Sequence, residues 1–432
     1  MTTSQDTTRE THFQDRDIPK FTIDLDKSDG ILIDDDAHDE VEYPDGGVQA
    51  WLVVAGSFVA QFVVLGNCYS FGIYNQYYAD NDFGSSSQVA FIGSLGMAFI
   101  YILGIPASKL AERYGFRQVI FAGTITLCFG LLLASFTTSL PLLIVTQGIM
   151  FGIGSSFIFF PAVSLPAQWF LKRRGLAMGV SVSGSGLGGL VFAQLSQRLL
   201  DSIGREWTLR VTCAIGLGMM LPFIPFMKTR IPPRKGTTGF SFLKNPGFYC
   251  LLGACFFGAF AEFVPVDFIT VFAKDRLGTS KNDGATLLSI YNGCNMVGRI
   301  VLGIVSDNYL GPLNAMALCT WMTVICMFSW MAASNYVGLC ALSAAIGLFD
   351  GGFWTLFPIA VEEICGIDGS MVTMLAILYT FMTIAVFGTP PLSGFIQAEY
   401  GFDWMIIYAG ALAILQALSS TGAKSVFSRR RR

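Results

Sequence analysis

Charged residues are scarce in this sequence: only 13% of its 432 residues are Asp, Glu, Lys or Arg, against 53% that are hydrophobic. The mean hydropathy is correspondingly high, at +0.57. Since about a quarter of the residues in soluble domains are charged, this composition excludes a soluble enzyme. It is typical of an integral membrane protein.

Histidine is missing from the apolar part of the chain, because His12 and His38 both lie in the first 46 residues. Histidine proton relays and histidine-ligated metal sites are therefore excluded there. The ten cysteines are irregularly spaced without a CxxC pair, which indicates small core residues rather than a disulfide framework. No nucleophile–base pair or cofactor loop is visible, so we expect no enzyme activity, no catalytic residue, no metal and no cofactor.

The first 46 residues form an acidic segment, with fourteen Asp or Glu against four Lys or Arg. No basic region precedes an apolar stretch in it, so it is neither a signal peptide nor a transit peptide. Its composition predicts a disordered cytoplasmic tail. An interaction tail is the alternative function for this segment.

From Trp51 onward, the chain repeats apolar stretches of about twenty residues, the length that crosses a hydrocarbon core of ~30 Å as a helix. We predict twelve spans, at residues 50–75, 88–109, 118–137, 141–165, 175–199, 208–227, 247–273, 285–306, 313–332, 336–361, 370–396 and 403–423. The longest polar break separates the sixth span from the seventh. The predicted organisation is a six-helix domain at 47–227, a cytoplasmic linker at 228–246, a second six-helix domain at 247–423 and a basic tail at 424–432.

Lys and Arg are concentrated in alternate loops, which is the pattern of the cytoplasmic side of a membrane protein. They flank the loops after the second, fourth and sixth spans, at Lys109, Arg113, Arg117, Lys172, Arg173, Arg174, Lys228, Arg230, Arg234, Lys235 and Lys244. Both termini are then cytoplasmic, because twelve spans return the chain to its starting side. Without an organellar address in the sequence, we expect the cell membrane, with the vacuolar membrane as the alternative.

Arg299 is a lone arginine inside the eighth predicted span. Its helix face, at spacings of three and four residues, contains Asn292, Asn295, Gly303 and Ser306, whereas Ile290, Val297, Val301 and Ile304 lie elsewhere. A charge in a spanning helix costs about 2.5–3.5 kcal/mol on insertion scales, so such residues face a bundle interior or a cavity and mark functional sites. A structural salt bridge is the alternative for Arg299.

Two carboxylates, Asp350 and Glu262, lie inside the tenth and seventh predicted spans. A carboxyl in a low dielectric favours its protonated form unless a cation pairs with it. Either residue could therefore carry a proton or neutralise Arg299, and we favour Asp350 over Glu262. Because two acids accompany one arginine, one titratable group is left over.

Two loops carry a related motif, in which an acidic residue is followed by a turn glycine. Glu112, Arg113 and Gly115 follow the second span, and Asp307 and Gly311 follow the eighth. An acid beside helix ends and basic neighbours could latch two helices in one conformation. The repeat resembles the cytoplasmic loop motif of the major facilitator superfamily. That resemblance implies an all-α membrane protein with two pseudo-symmetric six-helix bundles that rock against each other.

Two longer stretches resemble signatures of the monocarboxylate porter branch of that superfamily, especially its fungal members. They are PDGGVQAW at Pro44–Trp51 and WFLKRRGLAMG at Trp169–Gly179. The resemblance implies that Arg299 binds an anionic group of the substrate. Proton-coupled lactate-type carriers of this branch have an aspartate at the position of Asn295 and a lysine at that of Tyr69, so both substitutions remove charge here.

The resemblance also implies that polar residues within the spans line a central cavity. The candidates are Asn292, Asn295, Trp354, Gln61, Asn67 and Gln147. Each of them alone is more often a helix-packing or hydrogen-bonding residue than a ligand contact. We interpret the Phe-rich stretches as lipid contacts or core rather than an aromatic cage, and Glu362 and Glu363 as solvated residues at the end of the tenth span.

The predicted function is secondary transport of an organic acid, vitamin or secondary metabolite by alternating access. The partners we expect are the lipid bilayer, a small anionic solute and protons, with no nucleic acid and no second subunit. The glycine-rich stretch Gly184–Gly189 resembles the glycine motif of antiporter-type facilitators, with Ser185 where that motif has a proline, which favours export. The alternatives are a transporter-like nutrient receptor and a proton-coupled symporter of short-chain monocarboxylates.

Overall fold

The computed structural model describes residues 45–81, 83, 86–230, 243–365 and 371–431. Nearly all of the predicted acidic tail, residues 231–242 of the predicted linker and the last residue of the chain lie outside the described residues. Within the described ranges, the regular structure is entirely helical.

The α-helices follow one another with short connections. They are α1 (Val48–Tyr69), α2 (Phe71–Asp80), α3 (Ser86–Ile102), α4 (Gly104–Tyr114), α5 (Phe116–Ala134), α6 (Leu140–Leu143), α7 (Phe151–Ser164), α8 (Arg174–Phe223), α9 (Pro246–Leu277), α10 (Lys281–Val305), α11 (Pro312–Ser329), α12 (Tyr336–Cys365), α13 (Met371–Tyr400) and α14 (Phe402–Arg431). Two π-helical segments, Ile144–Met150 and Ser306–Leu310, continue α6 and α10.

The number of membrane spans agrees with the prediction once two breaks are taken into account. Among the described residues, ten helical segments are long and apolar enough to cross a membrane, and the pair α3–α4, bent by 48°, adds an eleventh. Helix α8 has 50 residues, about 75 Å of helix, more than twice the ~30 Å core. Gly204 breaks it, with φ 74° and ψ 173°, a conformation open to glycine. Helix α8 therefore contains two spans.

Some helices continue beyond the predicted spans, because helical hydrogen bonding does not stop at the membrane surface. Helix α9 ends at Leu277, four residues past the predicted boundary, with Lys274 and Arg276 in its last turn, where positive charge is favourable at the carbonyl end. Helix α14 extends to Arg431, through most of the residues predicted as a basic tail.

Glycines of α8 bring its first half against α1. A Cβ on Gly184 would lie 2.2 Å from the Phe58 carbonyl oxygen, and one on Gly188 would lie 2.4 Å from that of Phe62. Such contacts allow only a hydrogen at these positions. The glycines that resemble an antiporter motif thus pack membrane helices closely, as small residues commonly do.

Helix α10 makes backbone contacts on two sides. Towards α12, a Cβ on Gly298 would lie 2.0 Å from the Leu348 carbonyl oxygen. Towards α8, in the other bundle, a Cβ on Gly303 would lie 2.3 Å from the Gly175 carbonyl oxygen. Helix α10 therefore belongs to the second bundle and also forms the seam with the first.

The bundles share an apolar core at one end of the molecule. One continuous cluster of buried side chains joins Ile100 and Phe160 of the first bundle to Phe357 and Leu375 of the second. We call this end of the molecule the basic end. It contains the turn at Gly115, the start of α8 at Arg174 and the turn at Gly311. The two bundles are thus packed together at the basic end.

Candidate functional site

Arg299 lies at the seam between the bundles and is only 4% exposed. Its Nε donates to Oδ1 of Asn295, one turn earlier on α10, at 2.7 Å. Its Nη1 donates to the Val182 carbonyl oxygen of α8 at 2.9 Å. The guanidinium is therefore oriented by one residue of its own helix and by the backbone of the opposite bundle.

Asp350 of α12 is linked to Arg299 through Asn295. Its Oδ2 accepts a hydrogen bond from Asn295 Nδ2 at 3.0 Å and another from the Tyr291 hydroxyl at 2.7 Å. The Asn295 amide thus accepts from the arginine and donates to the aspartate. An aspartate at position 295 could accept but, when ionised, could not donate, which gives the loss of charge at this position a physical reason.

Glu262 of α9 completes the polar network. Its Oε2 accepts a hydrogen bond from the Trp354 indole Nε1, and its carboxyl interacts electrostatically with that of Asp350. Two neighbouring carboxyls in a low dielectric favour a state in which one of them holds a proton, because like charges repel. The structure therefore places two acids and one arginine in a single cluster, where the sequence predicted each of them separately.

The polar face of α10 is as predicted from its spacing. Asn295, Arg299 and Ser306 are buried, and Gly303 lies in the seam. On the other side of the helix, Val297, Val301 and Ile304 are exposed, at 46%, 44% and 37%. This distribution confirms that the polar side of α10 faces the protein interior and that its apolar side faces outward.

The remaining polar candidates are scattered around this network. Gln61 is fully buried, and neither atom of its side-chain amide has a hydrogen-bond partner within the described structure. Asn67 donates to the Val63 carbonyl oxygen of its own helix at 2.7 Å. Asn292 is half-buried, where α10 passes Gly186. Gln61 therefore presents an unused, buried hydrogen-bonding group among the described residues.

Gln147 lies in the π-helical segment that precedes α7 and accepts a hydrogen bond from the Tyr78 hydroxyl at 2.7 Å. Single π-helical turns are frequent at functional sites. Tyr69 is 42% exposed and interacts electrostatically with Arg299, Glu262 and Asp350. The first bundle thus contributes Tyr69 to the surroundings of the charged cluster.

Aromatic rings next to the charged cluster were not predicted as part of the site. Tyr379 of α13 lies nearly parallel to Trp354 and to Tyr101, with ring centroids 5.9 and 5.7 Å away. Tyr101 belongs to the first bundle, and it is separated from Tyr379 by most of the chain. The Phe-rich composition hid this arrangement, because ring contacts between distant helices leave no local pattern.

Asp307 joins the two bundles at the basic end. Its Oδ1 accepts from the Gly175 backbone N–H at 2.7 Å, and its Oδ2 accepts from that of Leu176 at 2.8 Å. Both donors are in the first turn of α8, where N–H groups lack helical partners and anions are favoured. Asp307 therefore stabilises the packed arrangement of the basic end.

Glu112 and Arg113, the predicted counterparts of this motif in the first bundle, are arranged differently. Glu112 Oε1 accepts a hydrogen bond from Thr373 Oγ1 of α13 at 3.2 Å, whereas Arg113 is exposed and lies over the ring of Tyr114. The turn glycines are alike, since Gly115 and Gly311 both have positive φ, at 96° and 76°. The repeated motif thus has the same turn in both bundles but unequal contacts.

Glu362 was predicted to be a solvated residue, and in the structure it is not. Its carboxylate pairs with the Arg174 guanidinium at 3.1 Å, and the two side chains are only 12% and 13% exposed. The prediction was wrong because the end of α12 is covered by the opposite bundle at the start of α8. This ion pair is a third link between the bundles at the basic end.

The described residues define a class of protein: a bundle of membrane helices with a buried polar cluster at the seam of its two halves. Among those residues, no group of three or more His, Cys, Asp or Glu side chains could hold a metal ion. The sequence profile of the Major Facilitator Superfamily matches residues 57–311 and 251–421. The chain belongs to this superfamily and is a secondary transporter, in a family of transporters rather than enzymes.

Several fungal transporters are similar to the chain over most of its length. Aspyridones efflux protein apdF of Emericella nidulans is 29% identical over 405 residues, 93% of this chain and 82% of that protein. MFS-type transporter opdF of Penicillium oxalicum is 31% identical over 87% of this chain and 90% of that protein. Fujikurins efflux protein of Gibberella fujikuroi is 28% identical over 96% and 89%.

The fold also matches a solved structure. The crystal structure of the Major Facilitator Superfamily transporter FucP in the outward conformation has a TM-score of 0.70 and 17% sequence identity, and the match covers 87% of this chain and 98% of that one. At this identity the likeness concerns the fold alone. It agrees with the two six-helix bundles predicted for the chain.

Proposed function

We propose that the chain carries a weakly acidic organic metabolite across the membrane as an anion together with one proton, and that it serves as an efflux carrier. The observation that carries this proposal is the cluster of buried Arg299 and Asp350 with half-buried Glu262 at the seam of the bundles. A guanidinium recognises an acidic group, and a carboxyl pair holds a proton. Alternating access then exposes the cluster to one side of the membrane at a time.

The charges of the cluster favour binding of anion and proton together. With one shared proton, Arg299 and the two carboxyls sum to zero. An added anion makes the cluster negative, and in a low dielectric a neighbouring negative charge favours protonation of the second carboxyl. Anion and proton therefore stabilise one another in the site. The net direction follows the metabolite and proton gradients together, so export requires an outward metabolite gradient larger than the opposing proton gradient.

The test is proton movement in proteoliposomes loaded with a pH-sensitive dye. An external organic acid should acidify the lumen of vesicles that contain the wild type. Arg299→Ala and Asp350→Asn should lower this rate at least about tenfold, because hydrogen bonds to charged groups contribute about 1.5–3 kcal/mol each. Arg276→Ala is the matched control, since Arg276 is about half exposed and pairs with Asp403 elsewhere.

The opposite results would each reject part of the proposal. Uptake of a labelled acid without proton movement would exclude proton coupling. Proton movement that persists in Asp350→Asn would exclude Asp350 as the carrier, and alkalinisation of the lumen would indicate exchange of acid for proton.

The relatives support export: two of them are named as efflux proteins, for aspyridones and fujikurins.

A contact between the two signature stretches supports the monocarboxylate porter branch. Asp45 of the first stretch accepts from the backbone N–H groups of Leu171 and Lys172 in the second, at 2.6 and 2.7 Å. A relative in that branch with the same pair of motifs would be expected to share this contact.

We place the protein in the cell membrane as a monomer, with the basic end and both termini in the cytoplasm. The exposed basic residues Lys109, Lys172 and Arg173 of the basic end support this orientation. An epitope tag at the C-terminus should react with antibody only after permeabilisation of intact cells. Staining without permeabilisation would reverse the orientation.

A further inference from the structure

Tyr379 occupies a box of aromatic rings that is built from both bundles. Two rings lie nearly parallel to it, Tyr101 at an interplanar angle of 13° and Trp354 at 22°. Three rings meet it edge-on, namely Phe159, Phe160 and Phe357, with centroids 5.8, 6.0 and 6.0 Å away. Tyr379 itself is only 5% exposed. Parallel and edge-on contacts are the arrangements that aromatic rings prefer.

The rings of this box belong to two different bundles, which meet at the seam. Trp354 and Phe357 belong to the same bundle as Tyr379 and move with it. Tyr101, Phe159 and Phe160 belong to the first bundle; we call these three residues the ring subsite. When the bundles separate at the basic end, as alternating access requires, Tyr379 leaves the ring subsite. Three apolar surfaces are then uncovered in the cavity, and covering them again is favourable.

We propose that the ring subsite binds a planar, conjugated ring of the transported acid, and that Tyr379 occupies the place of that ring in the conformation described here. This inference rests on the proposed function for the acidic group, but its binding chemistry is independent of proton coupling. The ligand class is a planar aromatic acid with one negative charge.

The position of the rings beside the charged cluster supports this class. Trp354 lies nearly parallel to Tyr379, with ring centroids 5.9 Å apart, and donates its indole N–H to Glu262, so the rings around Tyr379 adjoin the acids of the cluster. Thr380, the next residue on α13, donates to the Tyr101 carbonyl oxygen at 3.1 Å. The contact that a substrate ring replaces is therefore a direct contact between the bundles.

The experiment measures binding to the purified full chain in lipid nanodiscs with two probes of equal charge. 1-Hydroxy-2-naphthoate is planar and fluorescent, and decanoate is aliphatic. The readout is the ratio of their affinities, because a shift between conformations changes both affinities alike. The variants are Tyr101→Ala, Tyr101→Phe and Tyr379→Ala, and Phe395→Ala is the control because that ring is 57% exposed.

Tyr101→Ala should lower the naphthoate preference about three- to tenfold, the value of one lost ring contact. Tyr101→Phe should keep the naphthoate preference, since it keeps the ring. This variant also shows whether the fold tolerates a substitution at this position. Tyr379→Ala should raise the preference, because the protein's own ring no longer competes. Phe395→Ala should leave it unchanged.

An unchanged preference in Tyr101→Ala would overturn the proposal, and so would a loss in Tyr379→Ala as large as that in Tyr101→Ala. In the second case Tyr379 would be a contact of the ligand rather than an occupant of its place. Naphthoate binding with the expected ratios but without proton-linked transport would reject the proposed function and leave the ring subsite standing.

Discussion

Asp307→Asn tests whether the basic end is held together by the bonds described for Asp307. The carboxylate accepts two backbone N–H groups of the opposite bundle, at 2.7 and 2.8 Å. An asparagine offers one acceptor oxygen, so one bond is lost and the other becomes neutral. Hydrogen bonds to charged groups contribute about 1.5–3 kcal/mol each and neutral ones about 0.5–1.5. Since Asp307 is half-buried, solvent screening reduces the difference to about 2 kcal/mol.

A free-energy change of about 2 kcal/mol is about a 30-fold change in an equilibrium constant. The bonds link the two bundles, so they stabilise the packed basic end and disappear when it opens. Asp307→Asn should therefore shift the population towards an open basic end by about 30-fold. Glu112→Gln is the matched control in the first bundle: glutamine keeps an oxygen that can accept from the Thr373 hydroxyl, which lies 3.2 Å from Glu112 Oε1, so its shift should be smaller.

The assay is electron–electron distance measurement between nitroxide labels at the basic end. Lys172 and Asn308 are exposed on opposite bundles, so Lys172→Cys and Asn308→Cys can carry the labels once the native cysteines are replaced. The longer-distance population should grow in Asp307→Asn. An unchanged distribution, or a larger effect of Glu112→Gln, would refute the assignment of the main latch to Asp307.

Three further substitutions have distinct expected outcomes. Asn295→Asp removes the amide that donates to Asp350 and adds a carboxyl, so proton-linked transport should fall at least about tenfold and its pH profile should change; an unchanged profile would refute the bridging role. Gly303→Ala places a Cβ 2.3 Å from the Gly175 carbonyl oxygen, so nitroxide distances at the basic end should lengthen, and unchanged distances would show that the seam can adjust. Arg276→Ala removes an ion pair that is about half exposed, worth about 0–1 kcal/mol, so the melting temperature in detergent should change little; a large drop would show a structural role.

The spans and the polar face of α10 could be predicted because they are local properties. A hydrophobic stretch of sufficient length crosses the membrane in any fold, and residues three and four apart share a helix face in any helix. Tyr291 was missed although it precedes Asn295 by one turn, because a tyrosine in an apolar run looks like a core residue. The same spacing rule would have found it.

The contacts between bundles could not be predicted, because they depend on how distant helices dock. The approach of Tyr101 to Tyr379 joins helices from opposite halves of the chain. Glu362 was assigned to solvent from its position at a helix end, and only the packed arrangement brings Arg174 against it. Likewise, the sequence suggested similar latches at Glu112 and Asp307, whereas in the structure Asp307 accepts from two backbone N–H groups and Glu112 accepts from the Thr373 hydroxyl.

The backbone contacts that position α10 do not involve the residues proposed to bind the ring of the substrate. Gly298 and Gly303 hold the helix against its neighbours through carbonyl groups, and Asp307 adds bonds to backbone N–H groups. None of these contacts involves a side chain of the ring subsite. A substitution in the ring subsite therefore leaves the backbone contacts of α10 in place and alters only the ring contacts that Tyr379 makes across the seam, so the choice of metabolite and the backbone part of the seam can change independently.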